Sequence, residues 1–384
     1  MTDSFTKVTS SSWFERLGFA LAGALLGVAL LVFGCWLLFW NEGRYLDYVH
    51  NLEKCEAMTV EAVPGELNPE NNGKVIHMSG DAVVASPLRD KDFGIELKAL
   101  RLKREVQMYQ WQEDIESETE KKTGGGTETT TTYTYTQGWS SELNDSATFE
   151  VPAGHGNPKA MPYKNREWIA ENVKIGKFDL APELFDTLDD YESYPVKKLP
   201  PGISGAKLLE EGDIYISHSG DSSMLAPELG DMRISFSILK PGQFSVVAQQ
   251  RGNKLVPYNT ADDYQIYMLE RGNISATEMY AHDMDKNRGL TWGLRGLGVL
   301  SLVIGCFLVL KPVSVFFDVL PLLGNITEFG LGVFSIIAGL LFGALVIALG
   351  WLFYRLLIAA GVVVAAMLVC AGIVYGVRIR KVDS

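Results

Sequence analysis

The sequence predicts an α+β membrane protein, in which a four-helix transmembrane bundle carries a large β-rich extramembrane domain inserted between spans 1 and 2. Two observations lead to this fold class. Four apolar stretches, one near the start of the 384-residue chain and three near its end, are each long enough to cross a bilayer, which takes about 20 apolar residues in a helix. The long segment between them is rich in Val, Ile, Phe, Tyr and Thr in patterns typical of strands.

The first span is predicted over residues 17–40, which contain no charged residue, after a head of residues 1–16. Its apolar run is longer than the core of a cleavable signal peptide, and the sequence NEGR that follows offers no small-residue cleavage site. We therefore expect a retained anchor. The helical spacing of Tyr45 and Val49 predicts that the helix continues past the span to about Cys55.

The β-rich domain is predicted over residues 41–289 and outside the cytoplasm. A weak similarity between residues 73–81 and 212–221 suggests two related halves, at about 45–140 and 205–285. A chance likeness between glycine- and serine-containing turns is the alternative.

A long antiparallel hairpin is predicted within the domain, with strands at about 105–115 and 129–139. Its tip is polar and contains three consecutive glycines, so we expect the tip to be mobile. The aromatic face of the hairpin can pack on the domain or rest at the membrane interface. A short helix is predicted near residues 180–188.

The C-terminal region carries the other three spans, at residues 290–310, 329–354 and 356–377. Residues 312–327 are too short to cross a bilayer and place apolar side chains on one helical face, which predicts an interfacial amphipathic helix. A tail of residues 378–384 follows the last span.

Basic residues flank the spans at both ends of the chain: Lys7 and Arg16 in the head, and Arg378, Arg380 and Lys381 in the tail. Short basic flanks favour the cytoplasm, and four spans put both termini on one side. We therefore expect cytoplasmic termini and a periplasmic or lumenal domain. The membrane would be the inner membrane in a bacterium, or the endoplasmic reticulum or inner nuclear membrane in a eukaryote.

The chain has a net charge of −12, and the excess of acidic residues lies in the β-rich domain. An acidic surface repels phosphate backbones, so nucleic-acid binding is not expected. Cys55 is the single cysteine of the domain, which excludes an intramolecular disulfide there and leaves an intermolecular one open. Cys35, Cys306 and Cys370 lie inside predicted spans.

Residues that would carry chemistry are scarce in this sequence. The five histidines are scattered without the spacing of metal ligands. His77 and His218 occupy matching places in the two similar segments, so they either share a site or line separate turns. No nucleophile elbow or phosphate-binding loop is recognised. We therefore predict no catalytic residue, metal site or cofactor, and a protein that is not an enzyme.

Pairs of glycines spaced four residues apart occur in three of the predicted spans. Small residues at this spacing let membrane helices approach closely. We expect them to support packing within one subunit or between subunits. The glycines are Gly23 and Gly27, Gly339 and Gly343, and Gly372 and Gly376.

Polar residues collect at the predicted outer rim of the bundle. This outer-rim cluster consists of Asn41, Glu42, Arg44, Arg295 and Arg355. We expect a structural role, in which Glu42 pairs with Arg295 or Arg355 and ties the domain to the bundle. The alternative is that each side chain extends to water independently.

The chain resembles the transmembrane protein 43 family in stretches that run in family order across nearly its whole length. These are residues 41–44 (NEGR), 102–113 (LKREVQMYQWQE), 156–161 (GNPKAM), 230–236 (GDMRISF), 251–257 (RGNKLVP), 291–295 (TWGLR) and 350–355 (GWLFYR). The resemblance implies a four-span protein of the endoplasmic reticulum and inner nuclear membrane in animals, with bacterial relatives. It implies a membrane-organising scaffold that self-associates and retains partners, and no catalytic residues. The short head and tail favour a bacterial relative.

Three functions therefore stand as hypotheses. The first is an integral-membrane scaffold that forms homo-oligomers and organises other membrane proteins. The second is a lipid-binding or lipid-regulated membrane protein, with membrane lipids as its ligands. The third is an envelope hydrolase or protease partner whose catalytic centre carries no recognisable motif.

Overall fold

The structure is a computed structural model that describes residues 3–199, 202–260, 264–319 and 321–355. The predicted fourth span at 356–377, its glycines Gly372 and Gly376, and the predicted tail at 378–384 lie outside these residues. The described chain is α+β, with a large β-rich part and three long apolar helices.

The chain divides into two compact units. The β unit contains the described residues within 1–9, 53–118 and 129–282, and the helical unit contains residues 10–52, 119–128 and the described residues from 283 onward. Each unit therefore combines segments that are far apart in the sequence.

The helices are α1 (Trp13–Met58), α2 (Ala276–Phe317) and α3 (Pro321–Tyr354). The strands are β1 (Asp3–Ser11), β2 (Val60–Glu61), β3 (Val75–Val84), β4 (Leu88–Asp90), β5 (Ile95–Leu97), β6 (Arg101–Lys121), β7 (Thr127–Ser140), β8 (Arg166–Ile169), β9 (Val173–Ile175), β10 (Phe178–Leu180), β11 (Glu192–Ser193), β12 (Ala206–Leu208), β13 (Ile214–Ile216), β14 (Met232–Leu239), β15 (Gln243–Arg251), β16 (Lys254–Val256), β17 (Tyr258–Asn259), β18 (Gln265–Ile266) and β19 (Met268–Arg271).

An eight-stranded sheet is built around β6. Its path runs β1-β7-β6-β14-β13-β12, while β8 pairs with β6 and β11 pairs with β14 off this path. Strand β14 lies antiparallel to the first part of β6, from Leu239 opposite Arg101 to Met232 opposite Met108. Alternate residues of this part of β6, such as Val106, are buried. This period of two identifies the face of the sheet that packs on the core.

A seven-stranded sheet completes the core of the β unit. Its path runs β19-β15-β16-β10-β9-β3-β2, and β15 also pairs with β3. Val246 of β15 lies opposite Met78 of β3. Both side chains belong to one buried apolar cluster that also takes Val106 and Phe236 from the eight-stranded sheet. The two sheets thus share a single core, which needs no disulfide.

The predicted cytoplasmic head at 1–16 is not a separate segment. Residues 3–11 form β1, which pairs with β7 in the eight-stranded sheet. The head is therefore part of a sheet, and the sides of the membrane assigned to the head and to residues 41–289 stay predictions. Serine and threonine dominate β1, so it lacks the apolar alternation by which strands are recognised.

The two similar segments at 73–81 and 212–221 take different places in the β unit. The first contributes β3, which pairs with β15, and the second contributes β13, which pairs with the strand that follows it. Both sheets mix strands from the two predicted halves. The halves therefore form one unit with one core.

Three described helices are long and apolar enough to cross a membrane: α1, α2 and the part of α3 from Asn325. They contain the predicted spans at 17–40, 290–310 and 329–354. As predicted, α1 continues past its apolar part, and it ends at Met58.

The interfacial helix predicted at 312–327 does not exist as a separate element. Residues 312–317 are the last turns of α2, and α3 begins at Pro321. Pro312 is accommodated inside α2, so its effect on the helix is local. The helix predicted near 180–188 is a shorter 3₁₀ segment, Pro182–Thr187, that follows β10.

Candidate functional site

Buried charges in the helical unit mark its candidate functional positions, because a charge beside apolar helices is costly unless it has partners. Two groups of such side chains occur in the described part of this unit. One joins α1 to α2 around Glu42. The other gathers around Asp318, at the turn between α2 and α3.

Glu42 of α1 and Arg295 of α2 form a two-pronged ion pair. The Nε and Nη2 atoms of Arg295 donate to the two carboxylate oxygens of Glu42, at 2.7 and 2.8 Å. The Glu42 side chain is only 2% exposed. This planar, bidentate geometry is the strongest arrangement available to a carboxylate and an arginine, and it fixes the two helices in depth and in rotation.

A second set of polar contacts extends the outer-rim cluster. Arg44 donates to the Asn287 side-chain oxygen at 2.8 Å and to the Thr291 hydroxyl at 2.9 Å. Asn41 donates to the main-chain carbonyl of Thr291 at 3.1 Å. Asn287 and Thr291 complete the cluster. Sequence reasoning did not assign them to it, although Thr291 begins the family stretch 291–295.

Arg355 takes a different role from the one predicted for it. Its guanidinium lies over the ring of Trp351, 4.5 Å from the centroid. The third helix nevertheless reaches Glu42, because a Cβ added at Gly350 would lie 3.1 Å from the Glu42 Cγ. The structure thus brings four of the five outer-rim residues together and leaves Arg355 with its own aromatic partner.

The second group, which we name the tip cluster, alternates bases and acids: Arg16, Asp318, Lys121, Glu328 and Lys311. Asp318 is 1% exposed, and its two oxygens lie 2.5 Å from Arg16 Nη2 and 2.8 Å from Lys121 Nζ. Glu328 lies 2.6 Å from Lys121 Nζ and also pairs with Lys311. Three bases face two acids, so the cluster keeps one surplus positive charge.

The tip of the β6–β7 hairpin is packed in the helical unit. Arg16 donates to the carbonyl of Gly125, and the N–H of Gly124 donates to the carbonyl of Val319 at 3.2 Å. A Cβ on Gly125 would lie 2.3 Å from the Trp13 ring, and its φ of +82° also favours glycine. The glycines predicted to give a mobile tip instead allow close approach.

Lys121 makes the stability of the folded protein vary with pH in the alkaline range. Burial opposes its charge, but hydrogen bonds to Asp318 and Glu328 outweigh burial and raise its pKa above the ordinary value of 10.5. A raised pKa stabilises the folded state fully below about pH 10.5 and loses that effect as pH rises through the folded value. We expect Lys121→Met to lower the melting temperature at pH 8, and the difference in melting temperature from wild type to narrow as the pH rises above about 10.5. A gap that stays constant with pH would contradict this account.

Predicted packing glycines are used inside the helical unit. A Cβ on Gly27 would lie 2.8 Å from the carbonyl oxygen of Gly305, and one on Gly339 would lie 2.4 Å from Val303. A Cβ on Gly343 would lie 2.7 Å from Val299. Gly23 is less crowded, with a Leu308 methyl at 3.9 Å. Contacts inside one chain therefore account for three of these four glycines.

The histidines of the β unit have separate structural surroundings. His77 Nδ1 lies 2.7 Å from the Glu61 carboxylate, and its Nε2 lies 2.9 Å from the carbonyl of Ile274. His218 lies on an exposed turn of the other sheet. They therefore form no common site. Within the described residues, no group of three or more His, Cys, Asp or Glu side chains is placed to hold a metal.

His155 is a buried residue whose role could not be foreseen from its glycine-rich surroundings. Its ring stacks on Tyr135 at 3.9 Å and meets the edge of Trp111 at 4.8 Å. Tyr135 in turn donates to Glu113, and burial followed by this contact raises the pKa of the Tyr135 hydroxyl to about 12. The aromatic face of the hairpin thus packs inside the β unit near these residues.

Comparison with known proteins gives a consistent result. A family model described as transmembrane protein 43 matches residues 108–356. Transmembrane protein 43 of Mus musculus and that of Homo sapiens are each 32% identical to this chain over 346 residues, covering 86% of the chain and 84% of each relative. The transmembrane protein 43 homolog of Drosophila melanogaster is 32% identical over 305 residues, covering 78% of the chain and 80% of that protein. No solved structure matches.

The matched region contains Arg295 and most of the tip cluster, while Glu42 and Arg16 precede the part covered by the family model. The alignments to the animal proteins are longer than that model and cover most of the length on both sides. On these matches, the chain belongs to the transmembrane protein 43 family.

Proposed function

We propose that this protein is an integral-membrane scaffold that self-associates and organises partner membrane proteins. The observation that carries the proposal is the open edge of the eight-stranded sheet. Strand β1 ends the path of that sheet, is nine residues long, and is exposed at every position except Ser11, which is half-buried. An edge strand of this length offers a row of N–H and C=O groups to another chain.

Features that normally protect such an edge are sparse in β1. Proteins block exposed edges with proline, several charged residues, a bulge or a very short strand. Strand β1 contains no proline. Its only charged residues are one aspartate and one lysine, and the other seven are serine, threonine or apolar residues. The edge is therefore suited to pairing, and helical anchors in one membrane would raise the local concentration of copies.

Measurement of the oligomeric state in lipid tests the proposal. We expect the purified protein in lipid nanodiscs to give masses of multiple copies by light scattering, and neighbouring copies to crosslink in native membranes. A protein that stays monomeric in nanodiscs of several sizes, and does not crosslink in its native membrane, would overturn the scaffold proposal.

A lipid-binding function is the second candidate, favoured by a groove within the helical unit. The groove has a volume of about 290 Å³ and is lined by Arg16, Phe19, Ala20, Gly23, Leu308, Lys311 and Val315. Two bases lie beside an apolar trough, and the tip cluster supplies a surplus positive charge. This combination suits a phospholipid with an anionic headgroup.

Native mass spectrometry tests the lipid candidate. Gly23→Leu fills the groove without changing charge, and Gly18→Leu is the matched control because no atom lies within 4 Å of a Cβ there. We expect the first variant, and not the second, to lose anionic phospholipid that the wild type retains after delipidation. Equal retention by all three proteins would reject the groove as a lipid site.

A further inference from the structure

Besides β1 and β12, which end its path, the eight-stranded sheet has an open edge along part of β6. In the sheet path β6 lies between β7 and β14. The pairing with β14 covers β6 only as far as Met108, and the next main-chain contacts on that side come from Gly230 and Asp231 to Tyr109. The main-chain N–H of Trp111 is then taken by the Asn157 side chain. Among the described residues, no strand continues along residues 113–118 on this side.

The open edges of β1 and β6 belong to the same three-stranded part of the sheet, and these two strands run in the same direction. Ring contact between Phe5 and Tyr133 and the bond from the Thr9 hydroxyl to Thr129 show that β1 is antiparallel to β7. Strand β6 is also antiparallel to β7, because the Tyr135 hydroxyl bonds the Glu113 carboxylate and the Ser117 hydroxyl bonds the Thr131 hydroxyl. Strands β1 and β6 are therefore parallel to each other, with β7 between them.

This direction allows a head-to-tail arrangement of copies. If copies are related by rotation about an axis along the strands, β1 of one copy meets the open edge of β6 in the next. The interface joins two different surfaces, so each copy can bind a further copy on its other side. The copies form a closed ring when the rotation between neighbours is a whole fraction of 360°. Each copy contributes three strands, and the exposed edges are removed.

Charge selects this pairing over pairing of like edges. Four of the six residues at 113–118 are acidic: Glu113, Asp114, Glu116 and Glu118. Two such edges would repel each other. Strand β1 carries one acid, Asp3, and one base, Lys7, whose ammonium pairs with Glu150 of the same chain at 2.7 Å, and its other side chains are neutral. The edge of β6 therefore accepts β1 more readily than it accepts a second β6.

Apolar residues are exposed along both edges. Ile115 on β6 is 59% exposed, and Phe5 and Val8 on β1 are 42% and 58% exposed. Phe5 contacts Tyr133, which is two residues before Tyr135, the partner of Glu113. Phe5 and Ile115 therefore lie at a similar height on one face, and an added strand would bring Phe5 of one copy near Ile115 of the next.

We infer that β1 of one copy adds in parallel to residues 113–118 of β6 in a second copy, building a continuous sheet between subunits. This inference rests on the self-association proposed above and names the surface that produces it. The partner is a second copy of this chain, and the bonds formed are main-chain hydrogen bonds.

Disulfide crosslinking tests the pairing in a background where Cys35, Cys55, Cys306 and Cys370 are replaced by alanine. Ile115→Cys is combined with Phe5→Cys, Lys7→Cys or Thr9→Cys, which samples the register. Within one copy, β7 separates the two strands by about 9–10 Å, too far for a disulfide. Crosslinks in the paired variants are therefore between copies.

We expect at least one paired variant to give a ladder of crosslinked oligomers on oxidation in membranes, and no product from either single variant. Dimers from Phe5→Cys alone would instead show β1 pairing with β1 and overturn the inference. An oligomeric protein in which no pair crosslinks would also overturn it, while leaving the scaffold proposal standing. A monomeric protein would overturn both.

Charge variants give a second measurement that needs no disulfide. By the alternation of strands, Thr6 and Val8 share a face with Glu116 and Glu118. We expect Thr6→Glu with Val8→Glu to weaken self-association about tenfold, since each like-charge pair opposes pairing. Adding Glu116→Lys and Glu118→Lys should restore it.

The matched control keeps both positions and removes only the charge, as Thr6→Gln with Val8→Gln. Glutamine has the size of glutamate and is neutral, so it adds no like-charge pair beside Glu116 and Glu118. We expect self-association of the control to stay close to that of wild type. Equal weakening by the glutamate and glutamine variants would show an effect of side-chain size rather than of charge and overturn the inference.

Discussion

Replacing Glu42 with leucine is expected to lower the free energy of unfolding by about 3–5 kcal/mol, because it leaves a buried charge without its partner. Arg295 directs two donors at the Glu42 carboxylate and is itself only 18% exposed. The variant would also expose the guanidinium to apolar helix surface. The melting temperature of the detergent-solubilised protein, followed by tryptophan fluorescence or size-exclusion chromatography, measures the effect.

The double variant Glu42→Leu with Arg295→Leu distinguishes the loss of the ion pair from a loss of side-chain packing. Replacing both charges with apolar side chains removes the unpaired charge, so most of the stability should return. Asp285→Leu is the exposed control on the same helix, where the ion pair with Arg288 is largely solvated, and should change stability by less than about 1 kcal/mol. Equal losses in the single and double variants would contradict a coupled pair.

Gly27→Leu is expected to be the second strongly destabilising change, at about 3 kcal/mol. A Cβ at this position would lie 2.8 Å from the Gly305 carbonyl oxygen and 2.9 Å from the Val309 nitrogen. These are main-chain atoms, so no rotamer change can relieve the contact, and α1 and α2 must separate. Helix separation removes dispersion contacts along the interface, which drive association of helices in lipid.

Gly18→Leu provides the matched comparison on the same helix. A Cβ at Gly18 would meet no atom within 4 Å, so the substitution adds an apolar side chain and removes a poor helix former. We expect its melting temperature to equal or exceed that of wild type, whereas Gly27→Leu falls well below it. Similar melting temperatures for the two variants would mean that close helix approach at Gly27 does not stabilise the unit.

Local sequence was sufficient for the helices. The spans at 17–40, 290–310 and 329–354 were predicted because the apolar character of some 20 consecutive residues is a local property. The extension of α1 beyond its apolar part followed from helical spacing alone. The pairing of Glu42 was anticipated in kind, but Arg295 and Arg355 were equivalent candidates until the structure placed one of them beside the carboxylate.

Residues far apart in the chain were beyond local reasoning. The tip cluster joins Arg16, Lys121 and Asp318, which are separated by 302 positions at the extremes. Strand β1 carries no apolar alternation, so its pairing with β7 is visible only in the sheet. The predicted interfacial helix failed for a related reason, since a turn at Asp318 divides an amphipathic pattern between two longer helices.

By itself the sequence determined that this chain is held in a membrane by long apolar helices, that it carries an acidic β-rich part, and that it belongs with the transmembrane protein 43 family. Hydropathy and family motifs are properties of consecutive residues, so they can be recognised without knowledge of the fold. Only the tertiary structure decided that the head is a strand, which charges neutralise each other, and which sheet edges remain open. Those features depend on contacts between distant segments, and their energies exist only once the chain has brought the segments together.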